Sequence, residues 1–150
     1  MRWVIQRVKE AQVKVNNEIV GEINKGLLVL CGIEDGDEVT DSDWLINKTL
    51  KMRIFSDQNE KMNLSISDIS GEILFVSQFT LHAQTAKGNR PSFIRAAKPE
   101  KAEYLYNYAL EQLSKMHPQK IAKGQFGEDM QISCQLDGPV TILIDSKNRE

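Results

Sequence analysis

The chain has 150 residues, of which 41% are hydrophobic and 27% charged, with a formal net charge of −2. That length and apolar content suit one domain with its own core, spanning residues 1–150, and exclude disorder for the bulk of the chain. The slightly acidic balance excludes a global attraction to nucleic acid, so DNA is not an expected partner and any RNA contact must be a local basic patch.

The first third reads as strands. Trp3, Ile5 and Arg7 alternate with Val4, Gln6 and Val8, as expected of a strand near a sheet edge. Val13 and Val15 alternate with polar residues, Asn16-Asn17 signals a turn, and Ile19-Val20 resumes the strand. The apolar run from Leu27 to Ile33 reads as a buried central strand. A helix is expected over about 37–52, where Leu45, Ile46, Thr49 and Leu50 share a face and acidic residues crowd the first turn. Arg53-Ile54-Phe55 suggests a short strand, and the polar stretch from Ser56 to Gly71 a long loop. Ile73-Leu74-Phe75-Val76 reads as a second buried strand running into Ser77.

Residues from Thr80 to Arg95 are expected to form a loop over a site. Pro99 suits the first turn of a second helix, with Ala102, Leu105, Tyr106, Ala109, Leu110 and Leu113 at helical spacing. His117-Pro118 ends it. Two last strands are expected, around Met130–Leu136 and Val140–Ile144, joined by a tight turn at Asp137-Gly138-Pro139. Mostly strands with two inserted helices argue for an α+β domain, its sheet curled and its helices on one side.

The usual catalytic signatures are absent. Lys87-Gly88-Asn89 lacks the spacing of a phosphate-binding loop. Two histidines and two distant cysteines give no zinc-ligand spacing, so no metal or other cofactor is expected. His117 is read as a capping or surface group, and His82, just past Ser77, as a minor candidate for substrate contact. Cys31 and Cys134 both sit in apolar runs, where buried reduced thiols are the default. No run approaches the ~18 apolar residues of a membrane span, and Met1–Arg7 has no signal-peptide pattern, so a cytoplasmic protein without membrane contact is expected. An enzyme of this composition suits an activated ester, which yields to positioning and an oxyanion hole.

Ser77-Gln78-Phe79-Thr80-Leu81 resembles the first signature of the D-aminoacyl-tRNA deacylase (D-tyrosyl-tRNA deacylase) family, and Gly138-Pro139-Val140-Thr141 resembles the second. Supporting similarities run in order along nearly the whole chain: Gln6-Arg7-Val8, Gly26-Leu27-Leu28-Val29-Leu30, Arg53-Ile54-Phe55-Ser56, Lys61-Met62-Asn63-Leu64, Arg90-Pro91-Ser92-Phe93 and Gly124-Gln125-Phe126-Gly127. Leu136 departs from the asparagine many members carry there, and Glu128 from a small residue. The resemblance implies a curled, barrel-like, mostly antiparallel sheet with two main helices packed on it. It implies an editing hydrolase that cleaves D-aminoacyl-tRNA and works as a homodimer.

The resemblance also implies roles. Gly138-Pro139 would be a cis peptide entering the partner's active site, where two fixed carbonyls exclude an L side chain; without the resemblance, a trans turn is the plainer reading. Glycyl-tRNA, having no side chain to exclude, would leak through. Ser77, Gln78 and Phe79 would surround the aminoacyl group and offer N–H donors. Thr80 is the natural nucleophile candidate, but no base is visible near it; the alternative is that the terminal 2′-hydroxyl of the tRNA assists water. Arg7 either anchors its strand by an ion pair or braces Gly138-Pro139. Met130 and Phe126 either line the pocket or pack in the core. Lys87, Arg90, Arg95 and Lys98, with Lys101, form a basic island suited to acceptor-stem phosphates. A non-catalytic RNA- or small-ligand-binding protein and an editing hydrolase for L-threonyl- or glycyl-tRNA are the competing readings.

Overall fold

A computed structural model describes all residues, 1–150. In chain order the elements are β1 (Arg2–Val15), β2 (Glu18–Ile23), β3 (Gly26–Gly32), α1 (Val39–Lys51), β4 (Phe55–Ser56), β5 (Met62–Leu64) and β6 (Glu72–Ser77). A 3-10 turn (Phe79–His82), α2 (Pro99–Met116), β7 (Ile121–Lys123) and β8 (Gln131–Asp145) complete the chain.

β1 is the hub of the sheet. It pairs antiparallel with β2, β3 and β8, while β3–β6 and β6–β7 are parallel. β2 returns beside β7, so the sheet curls into a nearly closed barrel with both helices on its outside. The expectation that β1 lies near an edge is therefore overturned. Side-chain alternation reports which faces are buried, but strand partners lie in the plane of the sheet, where alternation carries no information.

Two apolar clusters divide along the pleat. Leu27, Val29 and Cys31 of β3 and Ile73 and Phe75 of β6 face the helices, while Leu28, Leu74 and Val76 face the barrel interior. On β1, Trp3 and Ile5 face the helices, yet Val8, Ala11 and Val13 all face the interior. The switch of parity comes from a bulge: Val8 pairs with Leu136 and Glu10 with Gln135, so Lys9 is an extra residue. One such residue turns every later side chain to the other face.

The helices form where expected. In α1, Leu45, Ile46, Thr49 and Leu50 are buried, and the Glu38 N–H donates to Asp41 Oδ2 at 2.9 Å at its start. α2 begins on Pro99 and buries Leu105, Tyr106, Ala109 and Leu113. Tyr106 stacks on Phe75 with centroids 5.2 Å apart and donates its hydroxyl to the Phe75 carbonyl at 2.8 Å.

Four further expectations are corrected. The strand expected at 53–55 lies at Phe55–Ser56, and residues 56–71 are not a plain loop. Asp57 Oδ1 accepts the N–H groups of Asn59 and Lys61 and closes a β4–β5 hairpin, so polar side chains supply the order that apolar ones would otherwise give. His117 is the C-cap of α2 but not a surface group: it is buried, with Nε2 2.8 Å from the Gly71 carbonyl. Cys134 is exposed, because no layer covers that half of β8, whereas Cys31 is buried and its thiol pKa is pushed up by that burial.

The two expected final strands are one. β8 runs beside β1 from Lys14↔Gln131 to Arg2↔Asp145 without reversing. Gln6 pairs with Thr141 and Val8 with Leu136, so the residues around Asp137-Gly138-Pro139 bulge out of a continuous ladder. Glycine and proline interrupt pairing in a bulge as readily as in a hairpin turn, so their presence did not separate the two.

Candidate functional site

The first signature lies where β6 leaves the sheet. Ser77 is still in register with Cys31, and the Gln78 N–H donates to the Cys31 carbonyl at 2.7 Å. The chain then tightens into the 3-10 turn, with Leu81 N–H donating to the Gln78 carbonyl and Ala83 N–H to Thr80. Arg2 Nη1 holds the Leu81 carbonyl at 2.7 Å from the neighbouring strand end. Gly32 lets this turn approach: a Cβ there would sit 2.8 Å from Leu81 Cβ and 3.1 Å from the Gln78 oxygen.

The outward side of the turn presents Phe79 and Thr80. Phe79 is 58% exposed and meets Phe93 edge-on, centroids 5.1 Å apart. Thr80 is exposed, and its hydroxyl accepts a 2.6 Å bond from the Gln78 side-chain amide rather than facing a carboxylate or imidazole. Because the Gln78 N–H is committed to β3, Phe79 and Thr80 hold the first N–H groups of the turn, which have no acceptor inside it. His82 points inward and is buried. Burial pushes its imidazole pKa down, and Nδ1 lies 3.9 Å from Glu34 Oε2.

The second signature is the β8 bulge. The Gly138–Pro139 peptide is cis, and Gly138 has φ +128°, a region closed to most side chains. A Cβ on Gly138 would also meet Val140 Cγ2 at 2.8 Å and Arg7 Nη2 at 3.1 Å. Arg7 is buried behind the bulge: Nε donates to the Asp137 carbonyl at 3.0 Å, and Nη1 to the Ile54 carbonyl at 2.5 Å. Nε also lies 3.1 Å from Asp137 Oδ2. One guanidinium thus makes an ion pair and holds the backbone behind the bulge. Gly138 and Pro139 themselves are exposed.

The structure does not bring the two signatures together within one chain. Gly138 sits level with Arg7, whereas Ser77 is level with Trp3 and Cys31 on the third strand over. Four residues of strand separate these levels, about 13 Å along β1 alone. Phe126 and Met130, by contrast, lie near the first signature. The Gly124 N–H donates to the Phe75 carbonyl, and a Cβ on Gly124 would touch both Met130 Sδ and Val76. Phe126 is half-buried against Tyr106, centroids 5.7 Å apart. Glu128 is exposed near them, and Leu136 is 42% exposed beside the bulge.

Lys87, Arg90, Arg95 and Lys98 are all exposed on the segment between the 3-10 turn and α2. Gln84 and Ser92 exchange both backbone bonds and pinch this segment into a loop. Arg95 does not project freely: its Nη2 is 2.7 Å from Glu34 Oε2. Arg2 and Glu34 are contributors that sequence reading did not single out. Their partners lie 79 and 61 residues away, and no local motif marks such pairs. A hollow of about 520 Å³ lies elsewhere, between β1, β2 and β8, lined by Glu10, Glu22, Lys120 and Cys134 among others. No helix is long and apolar enough to cross a membrane.

Comparison with known proteins adds to this geometry. The family model described as D-Tyr-tRNA(Tyr) deacylase matches residues 4–145. A D-aminoacyl-tRNA deacylase of Flavobacterium johnsoniae is 55% identical over 150 residues, covering 100% of both chains. One from Akkermansia muciniphila is 53% identical, again over the full length of both. Among solved structures, that of a c-Myc DNA Unwinding Element Binding Protein superposes with TM-score 0.91 at 43% identity, covering 97% of this chain and 98% of that one. A probable eukaryotic D-amino acid tRNA deacylase superposes with TM-score 0.83 over 95% of this chain and 97% of its own; at 16% identity it speaks to the fold alone.

Proposed function

The chain belongs to the D-Tyr-tRNA(Tyr) deacylase family and hydrolyses D-aminoacyl-tRNA; from that premise we propose that it proofreads chirality as a homodimer, each subunit's Gly138-Pro139 bulge completing the other's Ser77–Thr80 site. The observation that carries this reading is the separation of the two signatures. The bulge is exposed at the front, braced by Arg7 at the back, and too far from its own Ser77 turn to act there. β8 supports the same arrangement: it bonds to β1 alone, and Leu136 and Leu143 are 42% and 59% exposed on it. A long strand with a free edge and exposed leucines calls for cover, and a twofold dimer supplies it from the same surface.

In this site the Gly138 and Pro139 carbonyls face the substrate α-carbon. They exclude an L side chain sterically and leave a D side chain room, whatever its chemistry. Glycine offers nothing to exclude, so glycyl-tRNA, including tRNA(Ala) mischarged with glycine, is also cleaved. Water attacks the ester carbonyl carbon, and the N–H groups of Phe79 and Thr80 receive the developing oxyanion. The bond to the terminal ribose oxygen then breaks, that oxygen takes up the proton, and free D-amino acid and tRNA leave. The adjacent 2′-hydroxyl of the tRNA assists the proton transfer. Thr80 is not the nucleophile in this scheme, since its hydroxyl is held by the Gln78 amide and no base adjoins it.

Phe126 and Met130 back the aminoacyl pocket, and Lys87, Arg90, Arg95 and Lys98 face the acceptor stem. Catalysis uses no metal or cofactor, and the enzyme acts in the cytoplasm. A DNA-binding role, as the name of the 43%-identical protein would suggest, finds no support in a chain of net charge −2. The test is a deacylation assay on one tRNA carrying the D ester, the L ester or glycine. The D and glycyl esters are cleaved and the L ester survives; comparable cleavage of the L ester removes the steric wall. In the same assay Thr80→Ala keeps activity within about tenfold, whereas complete loss with tRNA binding intact makes Thr80 the nucleophile.

A further inference from the structure

One carboxylate oxygen stands between the two parts of the proposed site. Glu34 Oε2 is 2.7 Å from Arg95 Nη2 on the basic loop and 3.9 Å from His82 Nδ1 at the end of the 3-10 turn. The Glu34 side chain is only 14% exposed, and burial raises its carboxyl pKa. The Arg95 hydrogen bond and the charges around it outweigh that and leave the pKa below the ordinary value, so the group is an anion at neutral pH. The loop is stitched to the same place by backbone bonds, Asp35 N–H to the Arg95 carbonyl and Ala97 N–H to the Ile33 carbonyl. His82 is buried to 2% exposure with neither ring nitrogen hydrogen-bonded, and Glu34 is the carboxylate its Nδ1 approaches.

We infer that Glu34 is a positioning residue that fixes the tRNA-binding loop relative to the Ser77–His82 turn, so that phosphate contacts on the loop seat the aminoacyl ester at the turn. This rests on the proposed placement of tRNA on the loop. Of the four basic residues facing the acceptor stem, Arg95 then serves as a tether more than as a phosphate ligand, leaving Lys87, Arg90 and Lys98 to meet the backbone. Binding energy from the remote part of a substrate raises the rate only if it is rigidly transmitted to the reacting centre. Glu34 follows by two residues the Gly32 on which the turn packs, so a carboxylate held there by the guanidinium of the loop is such a link.

The test compares full-length D-aminoacyl-tRNA with the same D-amino acid esterified to adenosine, which reaches the turn but not the loop. Glu34→Gln, nearly isosteric, lowers kcat/KM for the tRNA by about tenfold and for the adenosine ester by less than about twofold. Arg95→Gln gives the same pattern, and the double variant loses little more than either alone, as expected of one shared link. Equal loss on both substrates means a general structural role and overturns the inference; so does an additive double variant, which makes Arg95 an independent phosphate ligand. Lys87→Glu separates the tether from the surface it serves. If it weakens tRNA cleavage and Glu34→Gln does not, the tether alone falls. If neither affects tRNA cleavage, the loop is not the tRNA surface and both fall. Thermal unfolding of each variant confirms that a folded chain is compared.

Discussion

At the end of β6 the Ser77–His82 turn is fixed from beneath by its own chain: β3 takes the Gln78 N–H, Arg2 takes the Leu81 carbonyl, and His82 is buried. The Gly138–Pro139 bulge is fixed only from behind. Arg7 holds the Asp137 carbonyl, and nothing in the chain covers the front of the bulge. A turn anchored from beneath keeps its exposed face in a fixed geometry; a segment braced at the back and bare at the front leaves its front free to meet another surface. The difference teaches that, in the proposed dimer, the N–H donors of the reaction centre come from one chain and the selectivity element from the other.

The sharpest way to break the comparison is to strip the bulge of its neighbour. Leu143→Glu places a charge on the exposed face of β8. It should give a folded monomer by light scattering, with D-aminoacyl-tRNA cleavage reduced by about a hundredfold; a fully active monomer would show that the bulge works without a partner. Loosening the brace should cost less activity. Arg7→Ala leaves the Asp137 carbonyl and the buried Ile54 carbonyl without their donor, which should cost about 2–4 kcal/mol in chemical unfolding. It should also raise cleavage of the L ester relative to the D ester, because a wall that moves excludes poorly. If stability drops and the D/L ratio is unchanged, Arg7 is structural only.

The smallest effect concerns pH and the anchored turn. Asp41 is buried and Asp145 partly so, which alone would raise their pKa values. For Asp41 the Glu38 N–H and Lys147 outweigh burial, and for Asp145 the Lys147 N–H and Arg2 do, so both carboxyls lie below the ordinary value. Their stabilisation is therefore present above the unfolded pKa of ~4 and is lost as pH falls through the folded value. His82 is also depressed, by burial. Below the unfolded value of ~6.5 the unfolded chain takes up a proton that the folded chain refuses, so stability begins to fall there. Melting temperature against pH should thus decline in two stages, a shallow one below about 6.5 and a steeper one below about 4. His82→Gln should remove only the upper stage, and an unchanged upper stage would mean that His82 does not cause it.

Much of this was legible in the residues. The pleat of Leu27–Gly32 and Glu72–Ser77, the helical stripes of α1 and α2, and the Asn16-Asn17 turn, with φ +50° and +66°, are local patterns with local causes. The two signatures were legible by resemblance, and the structure places Met130 and Phe126 near the first and Arg7 behind the second. Less legible was anything that depends on which strands lie side by side. β1 read as an edge and is the hub; Asp137-Gly138-Pro139 read as a turn and is a bulge; Cys134 read as buried and is exposed. Glu34 went unnoticed because its partners, His82 and Arg95, are brought to it by the fold across 48 and 61 residues.

The sequence by itself determined which residues can be buried and where the backbone must turn, because those follow from side-chain polarity and from the φ freedom of each residue. Only the tertiary structure decided that one arginine closes the back of the bulge, that one carboxylate lies between loop and turn, and that the two signatures stand apart in a single chain. Those facts arise from hydrogen-bond pairing between strands, an interaction of backbone with backbone that leaves almost no trace in the order of the side chains.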